Sequence, residues 1–382
     1  VAVFGGGYNG AVNPNYGSAV FVMDLEDEGR LLKVIDIEDQ ANVMRNYIFS
    51  TATNNTQTVF NLANYGLSSY DINCCTLKVY GAGSIRFAIS GDQIGTSMNN
   101  LKLTFDEAPP GGISIKVSVV NKTDIVNSLP ADLTVITADG TSKANYNGAL
   151  VYATDLEGKI TKVNLTDQGT LYQTTTLFNA QSTSDNGRYI YTRAEATINN
   201  DGNLWLYFGT GNTQKLQEQS SGVQNRAYGI KDVNFPNFVS LSSPGDVSLC
   251  KTAPNCPGNT DLGWYVNLPS FRKLTAEPTV DRDRVYFPLY EPNSSTNKCN
   301  TGIAILNAFD SKCGNSVLNV NLGKGVLSKV VKQGDNLYIG IAGEANTNIG
   351  QGFTSKDNLI TGKSKAKSAS GAVQIESWKE NY

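Results

Sequence analysis

Residues 148–165 read GALVYATDLEGKITKVNL, two largely apolar runs separated by a polar turn around Gly158. Alternation of apolar and polar residues with a period of two is the pattern of a β-strand. A short turn that contains Asp or Gly between two such runs indicates a β-hairpin. Helical periodicity is almost absent from the rest of the chain, so this stretch predicts an all-β protein.

The hairpin plan recurs along the chain at spacings of roughly 50 residues, close to the ~40–50 residues expected for one propeller blade. Its other copies are VAVFGGG (1–7) with SAVFVMDLEDEGRLLKVIDI (18–37), ATINNDGNLWLYFGTGN (196–212), PTVDRDRVYFPLYEP (278–292) with GIAILNAFDSKCG (302–314), and VVKQGDNLYIGIAGE (330–344). A propeller removes exposed sheet edges by radial repetition and therefore accommodates many short strands. The repetition predicts a β-propeller.

Residues 49–120 break this plan. They hold five short alternating runs divided by turn residues: TVFNL, TLKVY, SIRFAIS, LKLTFDE and ISIKVSVV. This pattern predicts a separate small β-sandwich inserted in a propeller loop. We therefore assign residues 1–48 and 121–382 to the propeller and 49–120 to the inserted domain. Residues 346–370 show no apolar period and predict a long loop.

The composition excludes some classes of protein. The chain has 382 residues, of which 17% are charged, and a formal net charge of −3. Binding of nucleic acid needs a basic face to neutralise phosphates, and none accumulates here. No apolar run approaches the ~20 residues of a membrane-crossing helix, so we expect no membrane span. Val1 already lies in a strand-like run with no signal peptide before it, so we expect a fragment of a longer precursor.

Histidine is absent from the sequence. This removes the commonest general base, the commonest zinc ligand and every Ser-His or Cys-His nucleophile pair. Carboxylates, lysines or tyrosines could still serve an enzyme. The expectation is nevertheless a protein without catalytic activity.

The six cysteines form two local pairs and one adjacent pair: Cys250 with Cys256, Cys299 with Cys313, and Cys74 with Cys75. An even count with local pairs predicts disulfides and an oxidising compartment, whereas the spacing lacks the paired Cys or His ligands of a zinc site. The adjacent pair has three interpretations: a vicinal disulfide, two half-partners of other bridges, or two thiols in a core.

Several motifs together resemble one family. They are GGGYNG (5–10), VYATDLEGKITKVNL (151–165), LYFGTGN (206–212), YGIKDV (228–233), GWYVNL (263–268) and the closing QIESWKENY (374–382). In this order they resemble the carboxyl-terminal domain of type IV pilus tip proteins of the PilY1/PilC family. The resemblance implies a modified propeller with quinoprotein-type blades, carried at the pilus tip on the bacterial surface after export through the periplasm.

The resemblance also implies a calcium loop of the form Asp-x-Asp-x-Asp-Gly-x-x-Asp before the VYATDLEG motif. Calcium needs six to eight oxygen ligands, which closely spaced carboxylates supply. In the corresponding residues 137–145 only Asp139 persists among the carboxylate positions, and Lys143 adds a positive charge. Asp139 is the candidate metal ligand and Ca²⁺ the one candidate cofactor, and a plain turn is the favoured alternative. The carboxylates of Asp24–Glu28 and of Asp281 and Asp283 are expected in solvated turns.

Three functions are compared. The first is a non-catalytic adhesin and pilus biogenesis factor, which balances extension and retraction and binds minor pilins at the pilus tip and a host or abiotic surface through loops. The second is a quinoprotein-dehydrogenase-like enzyme, suggested by Cys74–Cys75, since vicinal disulfides lie beside the quinone in some such enzymes. A quinone absorbance band would distinguish it. The third is a purely structural pilus cap without a receptor.

Overall fold

The computed structural model confirms the all-β prediction. It describes residues 1–8, 17–37, 43–51, 56–82, 85–121, 128–137, 148–199, 201–293, 300–364, 366 and 367. In these ranges lie twenty-nine strands and two short 3₁₀ helices, Leu62–Tyr65 and Val247–Leu249. Contacts divide the chain into two compact units, Val1–Ile37 with Ile125–Tyr382, and Glu38–Asp124. The larger unit contains five groups of strands, which we call sectors one to five.

Sector one is an antiparallel sheet of three strands. These are β1 (Ala2–Gly5), β2 (Ala19–Asp24) and β3 (Arg30–Asp36). Because side chains alternate across a strand, Val20, Val22 and Ile35 are buried on one face. Phe4 and Phe21 stack on the other face, with ring centroids 5.5 Å apart.

The smaller unit, Glu38–Asp124, contains two sheets. Its strands are β4 (Val43–Ser50), β5 (Val59–Asn61), β6 (Ser69–Asp71), β7 (Cys75–Tyr80), β8 (Phe87–Ile94), β9 (Ser97–Phe105) and β10 (Ser114–Asn121). Strands β4, β10 and β7 form one sheet, and β9 pairs with β5, β6 and β8 in the other. Side chains of both sheets, among them Phe49, Val117, Phe60 and Leu103, form one apolar cluster.

Sectors two and three are each built on an antiparallel meander of four strands. Their strands are β11 (Thr134–Thr137), β12 (Gly148–Thr154), β13 (Lys159–Thr166), β14 (Thr174–Asn179), β15 (Glu195–Ile198), β16 (Leu204–Gly209), β17 (Arg226–Asp232), β18 (Gly245–Asp246), β19 (Cys250–Thr252) and β20 (Gly263–Asn267). Sector two is β11 to β14, and β18 adds to β14 in parallel. Sector three is β15, β16, β17 and β20, and β19 adds to β20 in parallel.

Sectors four and five share one nine-stranded sheet. Its strands are β21 (Lys273–Leu274), β22 (Thr279–Asp281), β23 (Arg284–Glu291), β24 (Ile303–Asp310), β25 (Ser316–Leu327), β26 (Val331–Gln333), β27 (Asn336–Ala345), β28 (Thr354–Lys356) and β29 (Leu359–Lys363). Sector four is β21 to β25, and sector five is β26 to β29. The last part of β25, from Gly323, pairs with β27 and joins the two sectors. A Cβ at Gly323 would lie 2.0 Å from the carbonyl oxygen of Glu344, so only glycine permits this close pairing.

Two of these strands correct a prediction from the sequence. Residues 346–370 were expected to form a long loop, yet β28 and β29 lie within them and β29 pairs with β27. Ile360 is fully buried in the cluster that also holds Phe353. Two apolar side chains are too few to give a period in the sequence, but they are enough to anchor an edge hairpin on an existing sheet.

Successive sectors pack face to face in chain order. Four apolar clusters each join two neighbouring sectors, with members such as Val20 and Val151 (one and two), Tyr152 and Phe208 (two and three), Tyr207 and Phe287 (three and four), and Leu306 and Ile339 (four and five). Sectors two to four therefore bury both faces, which explains their nearly continuous apolar runs. Among the described residues no cluster joins sector five to sector one. The arrangement is consistent with a β-propeller-like fold.

The disulfides differ from the local pairs that the spacing favours. Cys256 bonds to Cys313, so the bridge joins the loop after β19 in sector three to the β24–β25 turn in sector four. Cys250 is a free thiol in β19, and burial raises its pKa to about 12. The local pairing was wrong because sequence spacing does not report which loop of the neighbouring sheet lies closest. Cys299 lies outside the described residues.

Among the three interpretations of the adjacent pair, the structure has the vicinal disulfide. Cys74 and Cys75 are bonded to each other immediately before and at the start of β7. The bond lies in the Glu38–Asp124 unit. Two disulfides are compatible with an extracellular protein.

Candidate functional site

Residues 189–195, which we call the hub segment, lead into the first strand of sector three and contact the four other sectors. Tyr191 packs edge to face on Tyr8, which follows β1 of sector one, with ring centroids 6.0 Å apart. The hydroxyl of Thr134, at the start of β11 in sector two, donates to the carbonyl oxygen of Ala194. Arg193 reaches Glu277, which lies just before β22 of sector four.

A second set of ion pairs brings in sector five. The ammonium of Lys329, two residues before β26, lies 3.2 Å from Oε2 of Glu195 and 3.0 Å from Oε2 of Glu277. Glu195 begins β15, and Arg193 Nε lies 3.1 Å from the same oxygen of Glu277. Sectors three, four and five thus meet at one ammonium group, close to the starts of β15, β22 and β26.

A repeated hydrogen bond links consecutive sectors as well. Thr134 begins β11 and donates to the residue before β15. Thr279 begins β22 and donates, over 2.7 Å, to the carbonyl oxygen of Val330, the residue before β26. Both threonines are buried. The same contact therefore occurs twice, between sectors two and three and between sectors four and five.

One side of the hub segment is accessible to solvent. The buried residues Ile190, Thr192 and Ala194 alternate with the partly exposed Tyr191 and Arg193. Tyr189 also packs against Tyr191, with centroids 6.4 Å apart. Burial, and next the neighbouring Tyr8, raise the pKa of Tyr191, so this tyrosine remains a neutral hydroxyl at physiological pH.

The hub segment and its ion-pair partners present partly exposed tyrosine rings beside paired charges. The side chains of Arg193, Glu195, Glu277 and Lys329 are between 23% and 35% exposed. Such pairs contribute little net stability each, and the two carboxylates balance the two cations, so no excess charge accumulates. Tyrosine rings stack on flat apolar groups and their hydroxyls form hydrogen bonds. The site is suited to recognition of a neutral polar ligand.

A second polar centre, which the sequence did not reveal, lies between sectors two and three. Lys162 Nζ is 2.6 Å from Oδ2 of Asp232, and both side chains are 1% exposed. The Tyr152 hydroxyl donates to the same carboxylate oxygen over 2.7 Å, and Lys162 also donates to the carbonyl of Asn237. Burial lowers the pKa of Lys162, and Asp232 opposes this shift. Burial, then Asp232, raises the pKa of Tyr152.

Lys273, like Lys162, is a buried cation. It is fully buried in β21, and its ammonium donates to the carbonyl oxygen of Glu218 over 2.7 Å. Burial lowers the pKa of Lys273 to about 8. Glu218 lies in the loop after β16, where Gln217 donates to the Tyr290 hydroxyl over 2.7 Å. The ammonium therefore holds this loop of sector three against sector four.

The carboxylates singled out in the sequence have different surroundings. The turn after Asp24 is solvated as expected, with Asp27 paired to Arg30. Asp281 is not in a solvated turn: its side chain is 1% exposed and lies within 3.1 Å of the cations of Arg282 and Lys332. Burial alone would raise the pKa of Asp281, but its hydrogen bonds with Arg282, Ser364 and Lys332 together outweigh burial and lower the pKa.

Asp139 lies outside the described residues, as does the rest of its loop after Thr137. The calcium prediction for Asp139 therefore stays a prediction. In the part of the chain that the structure describes, no group of three or more Cys, Asp or Glu side chains could hold a metal ion. No helix there is long and apolar enough to cross a bilayer.

Comparison with known proteins gives little. No known protein family matches the chain, and no curated protein sequence matches it. Among solved structures, a lignostilbene dioxygenase from Pseudomonas brassicacearum aligns with 86% of this chain and 80% of its own length. The two are 9% identical, with a TM-score of 0.29. This likeness is too low to carry an argument about fold or activity.

Proposed function

We propose that the chain is the carboxyl-terminal propeller domain of a type IV pilus tip-associated adhesin. It is non-catalytic, binds surfaces or host ligands through its loops, and takes part in pilus biogenesis and in the balance of extension and retraction. The observation that carries the proposal is the ordered set of motifs in 151–165, 206–212, 228–233 and 263–268. These motifs form the adjoining strands β12, β13, β16, β17 and β20, the centre of sectors two and three.

Buried side chains of these motifs contact one another or the next sector. Tyr152, Lys162 and Asp232 form the network between sectors two and three, and Trp264 is fully buried and donates to the carbonyl of Ser311 over 2.9 Å. The motifs at 151–165 and 228–233 therefore supply partners to each other. Coupled positions of this kind support the resemblance more strongly than separate Gly-Asp strand ends.

In this proposal the five sectors belong to a closed modified propeller, and the Glu38–Asp124 unit is a sandwich inserted in one of its loops. Support for the ring comes from the hub segment, which contacts every other sector. Support for the sandwich comes from the single apolar core shared by the two sheets of the smaller unit. A rigid ring with an inserted domain is suited to presenting a binding surface.

The inserted unit is the proposed adhesive element. The β8–β9 hairpin ends at Gly95, and Ile94 beside it is 69% exposed. Phe87, at the opposite end of the same strand, is 41% exposed. A large apolar side chain at an exposed hairpin tip favours contact with another surface. The partners would be minor pilins at the pilus tip and a host or abiotic surface outside the cell.

Replacement of residues 49–120 by a short Gly-Ser linker in the full-length protein tests the proposal. Pilus number, counted by electron microscopy, should be unchanged, and attachment of cells to a surface should fall. Ile94→Ser should weaken attachment with the domain intact, whereas Ile198→Ser, at an exposed position of sector three, should not. Loss of pili on removal of 49–120 would assign this unit to assembly, and unchanged attachment in both variants would refute its adhesive role.

A further inference from the structure

A cavity of about 100 Å³ lies between sectors four and five. Its walls come from Tyr286 of β23, Ala308 of β24, Leu318 of β25 and Phe353 of sector five, all of which are buried. The partly exposed Val317 and two cationic side chains complete the lining, Arg284 at the start of β23 and Lys363 at the end of β29. The cavity is apolar inside and positively charged at one side.

Arg284 has hydrogen-bonding capacity left over. Its Nε is buried and has no hydrogen-bond partner among the described residues. Asp283 Oδ1 lies 3.8 Å away, too far for a hydrogen bond, and accepts the backbone amide of Lys367 over 2.9 Å. Oδ2 of Asp283 is likewise buried without a hydrogen-bond partner among the described residues. Buried donors in native proteins are normally satisfied, so this guanidinium N–H beside a cavity is available to an acceptor that enters the cavity.

The charges around the cavity leave a net positive side. Asp283, 3.8 Å from Arg284 Nε, offsets the charge of that guanidinium, so the excess positive charge comes from Lys363. The other nearby carboxylate, Asp281, is already engaged by Arg282 and Lys332. Lys363 is exposed and has no ion-pair partner within the described ranges. The Tyr286 hydroxyl donates to Ser364, so it contributes its ring to the cavity wall.

We propose that this cavity binds a free short-chain carboxylic acid as its anion. One carboxylate oxygen accepts from Arg284 and the other from Lys363, and the alkyl stem packs among Tyr286, Leu318 and Phe353. Arg is suited to carboxylates because its planar fork of N–H groups matches their geometry. A dry cavity of ~150 Å³ admits benzene, so the smaller volume here limits the ligand to about five heavy atoms, the size of propionate.

Thermal unfolding of the full chain tests the proposal. Sodium propionate should raise the melting temperature with saturation, because a ligand that binds only the folded state stabilises it by mass action. Propionamide has the same shape without the charge, and sodium chloride supplies the same ionic strength; neither should produce a saturable shift. An equal shift with propionamide or with sodium chloride would overturn the proposal.

Single substitutions test whether the shift in melting temperature arises from propionate in this cavity. Lys363→Gln, at an exposed position that should not affect folding, should weaken the apparent affinity for propionate at least fivefold. Ala308→Leu, which fills the cavity, should abolish the shift, as should Arg284→Gln. Lys356→Gln, an exposed lysine of the neighbouring strand β28, is the matched control and should respond as the natural chain does. An unchanged propionate response in Lys363→Gln and in whichever of the other two variants folds would refute the site.

Discussion

Replacing Asp232 by asparagine removes the carboxylate that compensates the buried ammonium of Lys162. Both side chains are 1% exposed, and Nζ and Oδ2 are 2.6 Å apart. Breaking a buried pair by removing one partner costs about 3–5 kcal/mol, because the other charge stays buried without compensation. Lys162 keeps its hydrogen bond to the Asn237 carbonyl, 2.9 Å away. We therefore expect a loss near the lower end, about 3 kcal/mol of unfolding free energy.

Related variants separate the charge from the packing. Tyr152→Phe removes only the hydroxyl that donates to Asp232, and a hydrogen bond to a charged group contributes about 1.5–3 kcal/mol. Asp232→Leu combined with Lys162→Met removes both charges, and replacement of a whole buried pair by apolar residues is often neutral. The double variant should recover most of the stability lost in Asp232→Asn.

Urea unfolding at pH 7, followed by tryptophan fluorescence, measures these differences, since Trp205 and Trp264 both lie in sector three. The matched control is Asp201→Asn, in an ion pair to Lys312 in which both side chains are at least 60% exposed. This control should change the stability by less than ~0.5 kcal/mol. The reasoning is refuted if Asp232→Asn costs no more than the control, or if the double variant is as unstable as the sum of its single changes.

Three further predictions concern contacts between sectors. Between pH 8 and 10.5 the unfolded chain keeps a proton on Lys273 that the folded chain has lost. Rising pH should therefore increase the unfolding free energy of the natural chain relative to Lys273→Met by up to about 3 kcal/mol. A difference between the two that stays constant with pH in urea unfolding would contradict this. Replacing Cys256 and Cys313 by serine removes a bridge that closes a loop with a sequence separation of 57. The loss of chain-entropy stabilisation should lower the unfolding free energy by about 4 kcal/mol, and a loss below ~1 kcal/mol would argue against the bridge. Thr279→Val removes the hydrogen bond to Val330 and should cost about 1 kcal/mol in the same assay, and an unchanged midpoint would show that this contact contributes nothing.

The hairpins could be predicted from the sequence because their causes are local. The 148–165 stretch forms β12 and β13 around Gly158, whose φ of +74° suits glycine at the turn. Each of the five alternating runs of the smaller unit also overlaps one of its strands: β5, β7, β8, β9 and β10. Period-two alternation and turn residues are properties of neighbouring positions, so one sequence is enough to read them.

Contacts between sheets could not be predicted in this way. The junction at Lys329 joins it to Glu195, a sequence separation of 134, and nothing in the residues around either position indicates the other. In the sequence Asp281 resembles an ordinary turn carboxylate. Only the packing of the next sector brings Lys332 beside it. Cys256 likewise bonds across sectors and not to its local partner. The sequence predicted the strands, and the packing of one sheet on the next determined the sites.

Zero-length carbodiimide cross-linking followed by peptide mass spectrometry tests the convergence of the sectors most directly. This reaction joins an amine only to a carboxylate in contact with it. We predict isopeptide bonds from Lys329 to both Glu195 and Glu277, from peptides of three different sectors. Lys324, which has no ion-pair partner in the described part of the chain, is the control and should give neither product. Absence of both Lys329 products, with other salt-bridged pairs cross-linked in the same sample, would contradict a common meeting point of sectors three, four and five.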